Sequence, residues 1–189
     1  AAGKGAIQLT GNALDNRLTG NGAANVLNGL AGDDTLIGGN GDDYIHADGG
    51  TDTIDGGADW DTLSYLHDSD ATGGVIFTFT GGGSGTVLDW GGNTDTFSNI
   101  EQGRGTNFGD TFNGSADADN FQGEGGKDTM NGGDGDDYFQ GGRGSDSIVG
   151  GNGMDWAGYG WDEPKKAIVV TFGATGNATV KDGLGGTDK

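Results

Sequence analysis

The sequence predicts an all-β chain: two rolls of short stacked parallel strands, joined and capped by small β-rich spacers. Three observations carry this. Glycine makes up 45 of the 189 residues against a single proline. Apolar residues recur with a period of nine, one per turn-rich unit. Whole passages are copied: GGNGDDYIH at 38–46 returns as GGDGDDYFQ at 132–140.

From Gly11 the chain divides into GNALDNRLT, GNGAANVLN, GLAGDDTLI, GGNGDDYIH, ADGGTDTID and GGADWDTLS, which we number repeats 1 to 6. From Gly105 it divides again into GTNFGDTFN, GSADADNFQ, GEGGKDTMN, GGDGDDYFQ, GGRGSDSIV and GGNGMDWAG, repeats 7 to 12. A fixed period of this kind is the signature of a solenoid. Positions 1 to 6 hold the glycines that suit a tight turn. Positions 7 to 9 are rich in Thr, Tyr, Ile, Leu and Phe, and suit a short strand with its middle side chain inward. The inward residues are Leu18, Leu27, Leu36, Ile45, Ile54 and Leu63, then Phe112, Phe121, Met130, Phe139, Ile148 and Ala157. Two repeats make one coil, and stacked coils enclose a thin apolar core between two parallel sheets. One inward side chain in nine is little to hold so many glycines, so the turns need another source of cohesion.

The segments after each block also match, GVIFTF at 74–79 with AIVVTF at 167–172. The expected organisation is a leading remnant 1–10, a roll 11–64, a spacer 65–104, a second roll 105–158 and a truncated spacer 159–189. This reads as a piece of a longer tandem array.

A formal net charge of -20 with 31% hydrophobic residues would, without order, describe a disordered acidic segment. The charge excludes a nucleic-acid binder, which needs clustered Lys and Arg, and argues against an anionic membrane surface. No apolar run is long enough to span a bilayer, and no cleavable amino-terminal signal is visible. There is no cysteine, hence no disulfide and no thiolate site. Cations are the natural partners.

Position 6 is where they would bind. It is Asn16, Asn25, Asp34, Asp43, Asp52 and Asp61 in the first block, and Asp110, Asp119, Asp128, Asp137, Asp146 and Asp155 in the second. Turns on one edge of a coil are two repeats apart, so stacking brings Asp110 near Asp128 and Asp119 near Asp137. Such carboxylates cannot all stay ionised without a cation between them. Calcium fits, since it takes six to eight oxygen ligands and accepts backbone carbonyls. Zinc is disfavoured without Cys or a His pair.

GGNGDDYIH, GGDGDDYFQ and GGRGSDSIV resemble the GGxGxDxUx nonapeptide of RTX (repeats-in-toxin) proteins, which form calcium-bound parallel β-rolls. The resemblance covers both blocks and implies right-handed rolls in which carbonyls at positions 2 and 4 and the residue at 6 act with positions 1, 3 and 6 two repeats later. One site would use Gly39, Gly41 and Asp43 with Gly56, Ala58 and Asp61. Another would use Gly133, Gly135 and Asp137 with Gly150, Asn152 and Asp155. The same pattern adds Gly32, Gly49, Gly123, Gly125, Gly126, Gly132, Asp134, Gly141 and Arg143. Sites that include Asn16 or Asn25 are expected to be weak or empty. Roughly six to eight Ca2+ ions would offset most of the negative charge.

The spacers carry strand-like V75-I-F-T-F and I168-V-V-T-F, each followed by a second strand near Thr86 to Leu88 or Thr179 to Val180. Antiparallel ribbons are expected there. Trp90 and Trp161, with Tyr65 and Tyr159 nearby, either cover the open ends of the cores or stack on a sugar. Catalytic signals are weak: His46 and His67 have no nucleophile partner, and GGGSG around Ser84 lacks the strand–elbow–helix setting. The expected function is therefore a non-enzymatic calcium-binding module. RTX resemblance implies a secreted bacterial protein, exported by type I secretion, folding on calcium and linked to flanking domains. The competing reading is a module binding extracellular polysaccharide.

Overall fold

The computed structural model describes residues 5–66, 71–158, 169–172 and 178–181. The described residues contain strands and turns and no helix. The strands are β1 (Gln8–Thr10), β2 (Arg17–Thr19), β3 (Val26–Asn28), β4 (Thr35–Asn40), β5 (Tyr44–His46), β6 (Thr53–Ala58), β7 (Thr62–Ser64), β8 (Ile76–Gly81), β9 (Ser84–Leu88) and β10 (Thr94–Ser98). They continue with β11 (Gln102–Arg104), β12 (Thr111–Asn113), β13 (Asn120–Gln122), β14 (Gly125–Gly126), β15 (Thr129–Asp134), β16 (Tyr138–Gln140) and β17 (Arg143–Gly144). The last are β18 (Ser147–Asn152), β19 (Trp156–Ala157), β20 (Val169–Phe172) and β21 (Ala178–Lys181). In every repeat the strand begins at position 7, just after the Asp or Asn of position 6; that residue is Thr, Tyr, Val or Trp except at Arg17, Asn120 and Ser147.

The strands that begin at position 7 of successive repeats alternate between two sheets, giving a parallel β-solenoid of about 8 turns. One sheet runs β1-β3-β5-β7-β11-β13-β16-β19, and the other β18-β15-β12-β8-β9-β10-β6-β4-β2. Register joins like to like two repeats along: Leu27↔Ile45, Ile45↔Leu63, Leu36↔Ile54, Phe112↔Met130 and Phe121↔Phe139. Position-8 side chains therefore stack in two facing rows and form the core. Leu27, Leu36, Ile45, Ile54, Leu63, Phe112, Phe121, Met130 and Phe139 are buried, while Leu18 and Ile148 near the ends are partly covered.

The first spacer is built into the stack. β8 and β9 form the expected antiparallel ribbon, and β9 also runs antiparallel to β10. β10 lies parallel on β6 and β8 parallel on β12, so three strands bridge the two blocks in one sheet. In the other sheet β11 alone does so, between β7 and β13. At about 4.8 Å per strand, the surplus makes one face roughly 10 Å taller than the other. Larger side chains fill the space this opens. Phe77 stacks on Phe112 at 5.2 Å, Phe79 meets Phe97 edge-on at 4.8 Å, and Tyr65 meets Phe77 at 5.7 Å. The inward residue of β11 is Gly103, whose missing side chain leaves room for the Phe77 and Phe79 rings. β20 and β21 pair antiparallel, Val170↔Val180. Trp161, Tyr159 and His67 lie outside the described residues.

Candidate metal centres

Twelve turns, two conformations. In repeats 3 to 6 and 9 to 12, position 2 has positive φ: Leu30, Gly39, Asp48, Gly57, Glu124, Gly133, Gly142 and Gly151. Position 4 does too: Gly32, Gly41, Gly50, Asp59, Gly126, Gly135, Gly144 and Gly153. In repeats 1, 2, 7 and 8 neither position does. Leu30, Asp48, Asp59 and Glu124 adopt this conformation although it is unfavourable with a Cβ, so the turn imposes it and glycine only eases it.

We call the first kind open. In both kinds of turn carbonyls aim at the turn two repeats away, those of Asn21, Ser115 and Asp117 in repeats 2 and 8 included. A methyl group on Gly57 or Gly151 would overlap the carbonyl oxygen of Gly39 or Gly133, and one on Gly50, Gly144 or Gly153 that of Gly32, Gly126 or Gly135. Carbonyls of position 1 aim the opposite way: those of Gly56, Gly141 and Gly150 would overlap a methyl on Gly38, Gly123 and Gly132. The same methyl groups would strike Oδ2 of Asp43, Asp128 and Asp137. The position-1 carbonyl and the carboxylate oxygen thus converge over a bare glycine face, which brings together the donors expected at 43 and 56, and at 137 and 150, while the carbonyls of 39 and 133 lie over Gly57 and Gly151.

The two oxygens of each aspartate have different fates. Oδ1 staples the stack: the N–H of Asp34 donates to Asp52 (2.7 Å), that of Asp43 to Asp61 (2.8 Å), that of Asp110 to Asp128 (2.8 Å) and that of Asp128 to Asp146 (2.9 Å). Asp119 and Asp137 donate likewise to Asp137 and Asp155. Oδ2 of Asp34, Asp43, Asp52, Asp61 and Asp137 is buried and meets no donor. A buried carboxylate oxygen without a donor is costly, and a cation is the group that would satisfy it. Burial pushes the pKa of Asp52 up to about 8 and that of Asp61 to about 7, against backbone hydrogen bonds that pull the other way. It raises Asp34, Asp43 and Asp137 also. No three acidic or histidine side chains cluster into a metal site among the described residues. An ion here would take mostly carbonyl oxygens, the preference of calcium.

The remaining turns are closed from within. In repeat 2, Asn25 Nδ2 donates to the carbonyls of Asn21 and Ala23, at positions 2 and 4, and to Asp43 Oδ1. The amide nitrogen sits among the carbonyl oxygens of its own turn. In repeat 7 the N–H and Oγ1 of Thr106 donate to Asp110, whose pKa burial raises to about 6. In repeat 8 the N–H and Oγ of Ser115 donate to Asp119 Oδ2. In repeat 1 the Asn12 N–H donates to Asn16 Oδ1 (2.6 Å).

Other expected residues serve the stacking. The carbonyls of Gly49, Ala58 and Asn152 accept the N–H groups of Gly32, Gly41 and Gly135. The Arg143 N–H donates to Glu124 O, pairing Arg143 with Gly125. Asp134 points outward, accepting from Asn152 Nδ2 at 2.7 Å. Trp90 packs on the core, edge-to-face with Tyr65 at 6.3 Å.

Two acidic residues in the spacer escaped the sequence reading. Asp95 stands at position 6 of a degenerate repeat: Oδ1 accepts the Asp52 N–H and Oδ2 the Tyr65 hydroxyl. Burial raises its pKa to about 6, opposed by the Tyr65 hydrogen bond. Its signal was D95-T-F-S, which matches D110-T-F-N. Glu101 Oε2 accepts the Asp61 N–H at 2.7 Å, and no periodicity marks it.

The fold and the site define a class: an acidic parallel β-roll whose turns present carbonyl and carboxylate oxygens to calcium. The family model of the RTX calcium-binding nonapeptide repeat matches four times, at residues 10–45, 37–65, 104–139 and 131–156, more than half the chain. The chain belongs to that family and is a calcium-binding repeat module. No curated protein matches it.

Proposed function

We propose that this is a non-enzymatic structural module that folds when calcium fills its open turns, in a larger protein secreted through the type I route. The observation that carries this is the set of buried, donor-free Oδ2 atoms on Asp34, Asp43, Asp52, Asp61 and Asp137 facing turns of bare carbonyls. Without calcium these carboxylates are buried charges without partners, at a net charge of -20. With calcium each becomes a ligand that ties one turn to the next. Metal binding and folding are then one equilibrium. An unfolded chain in calcium-poor cytosol and a folded one in calcium-rich medium suit export through a narrow channel.

Within the repeats the strong sites lie beside Asp34, Asp43, Asp128 and Asp137, where an open turn faces another open turn. Those beside Asn16, Asn25, Asp110 and Asp119 are weak, because the closed turn already satisfies its own oxygens. With sites completed by the spacer, the load is on the order of six ions and +12 charges. We favour this role over polysaccharide recognition because Trp90 is spent on Tyr65 and the core.

Far-UV circular dichroism during a calcium titration from EGTA-treated protein, with magnesium as control, tests the proposal. A cooperative gain of β signal in roughly 0.1 to several millimolar calcium, the range of extracellular modules, supports it. A chain fully folded in EGTA, or unresponsive to calcium, overturns it.

A further inference from the structure

The family match ends at residue 65 and resumes at 104, yet the turn of repeat 6 is built like those that face another repeat. Asp61 is buried, with Oδ2 meeting no donor. Positions 2 and 4, Gly57 and Asp59, have positive φ, so the turn is open. Its neighbour on the same edge is a three-residue turn of the spacer, residues 99–101, between β10 and β11. Here too oxygens converge on a bare glycine: a methyl on Gly56 would overlap the Asn99 carbonyl oxygen and approach Asp61 Oδ2. Gly56 therefore meets the same pair of groups as Gly38 and Gly132, with Asn99 O in place of the carbonyl of Gly56 or Gly150. Asn99 is held at φ 54, an uncommon conformation for a residue with a Cβ, and its side chain is fixed by an Asp55 carboxylate at 2.7 Å. Glu101 supplies the carboxylate that position 6 supplies elsewhere, its Oε2 taking the Asp61 N–H as Asp61 Oδ1 takes that of Asp43.

We infer that the non-repeat residues Asn99 and Glu101 complete a further calcium site with Asp61, so that the spacer extends the ion ladder beyond the repeats. The inference rests on the calcium reading of the open turns. The extra methylene of Glu offsets the short turn: with three residues where a repeat has six, the carboxylate starts farther from the ion and needs the longer reach. The ligand chemistry is that of a hard divalent cation held by carbonyl and carboxylate oxygens.

The test is the number of calcium ions retained by the whole chain, counted by native mass spectrometry at saturating calcium, for the wild type and three variants. Glu101→Gln keeps an acceptor for the Asp61 N–H and removes the charge; it is expected to hold one ion fewer. Glu101→Asp keeps the charge at shorter reach and is expected to hold that ion about tenfold more weakly, and it carries the test if the amide variant does not fold. Asp137→Asn, in a repeat–repeat site, gives the loss expected of an ordinary site. Glu101→Gln with the full wild-type count, alongside a loss in Asp137→Asn, overturns the spacer site and leaves the calcium reading intact. A wild type that retains no calcium overturns both.

Discussion

Asp137→Asn should stabilise the calcium-free fold and lose that advantage in calcium. Asp137 is fully buried; Oδ1 accepts the Asp119 N–H at 2.8 Å, and Oδ2 meets no donor. An asparagine there can keep the first bond through its carbonyl and place NH2 where Oδ2 was. Asn25 already does this, its Nδ2 donating to the carbonyls at positions 2 and 4 of its own turn. In EGTA the substitution removes a buried unpaired acceptor and gives two carbonyls a donor, a gain of about 1–3 kcal/mol. In calcium it forfeits a ligand. At calcium about ten- to a hundredfold above the dissociation constant, a lost site costs about 1.4–2.7 kcal/mol. With a urea slope of roughly 2 kcal/mol per molar, the variant's unfolding midpoint should lie about 1 M above the wild type's in EGTA and about level with it in calcium, where the lost site offsets the amide's gain. If the wild type is too unfolded in EGTA to give a midpoint, a stabilising osmolyte at equal concentration in both chains brings it into range. A variant destabilised in EGTA, or one that keeps its full advantage in calcium, would refute the idea that the amide replaces the ion.

Other expectations follow from the same geometry. The pKa values of Asp52 and Asp61 are raised in the calcium-free fold, to about 8 and about 7. That fold therefore gains stability as pH falls from about 8 toward the ordinary carboxylate value, and calcium must displace the protons it holds. Calorimetry in buffers of different ionisation enthalpy should show proton release on calcium binding near pH 7 and weaker binding at pH 5; no release would contradict the burial of these groups. Gly103→Val places a side chain against the Phe77 and Phe79 rings, and should cost about 1–3 kcal/mol in calcium, read as a lower thermal midpoint. Tyr65→Phe removes the donor on buried Asp95 Oδ2, and should cost about 1–3 kcal/mol in the same assay.

Most of the roll was legible because its period is covalent. Leu27, Ile45 and Leu63 are spaced by two repeats in sequence and stack by two repeats in space, so finding the period found the core and its register. The glycines and the aspartate at position 6 carried the turn chemistry for the same reason. What the sequence hid depended on backbone conformation. Asp119 and Asp137 occupy the same position, yet Ser115 closes one turn and positive φ at Gly133 and Gly135 opens the other. In repeats 1, 7 and 8 the difference lies in position 2, where the side chains of Asn12, Thr106 and Ser115 bond their own turn; in repeat 2 it lies in Asn25, whose amide donates to the carbonyls of Asn21 and Ala23. Asp95 was visible in D95-T-F-S but fell inside a stretch read as spacer. Glu101 was not visible, since its role depends on a three-residue turn that only the placing of β10 on β6 and of β11 on β7 defines.

Crystals grown in calcium and measured for calcium anomalous scattering test the central claim, that open turns hold ions and closed turns do not. The account predicts peaks beside Asp34, Asp43 and Asp137, and a vacant position beside Asn25 with its amide in place. Peaks of equal height beside Asn25 and Asp43, or none beside Asp43 and Asp137, would contradict it.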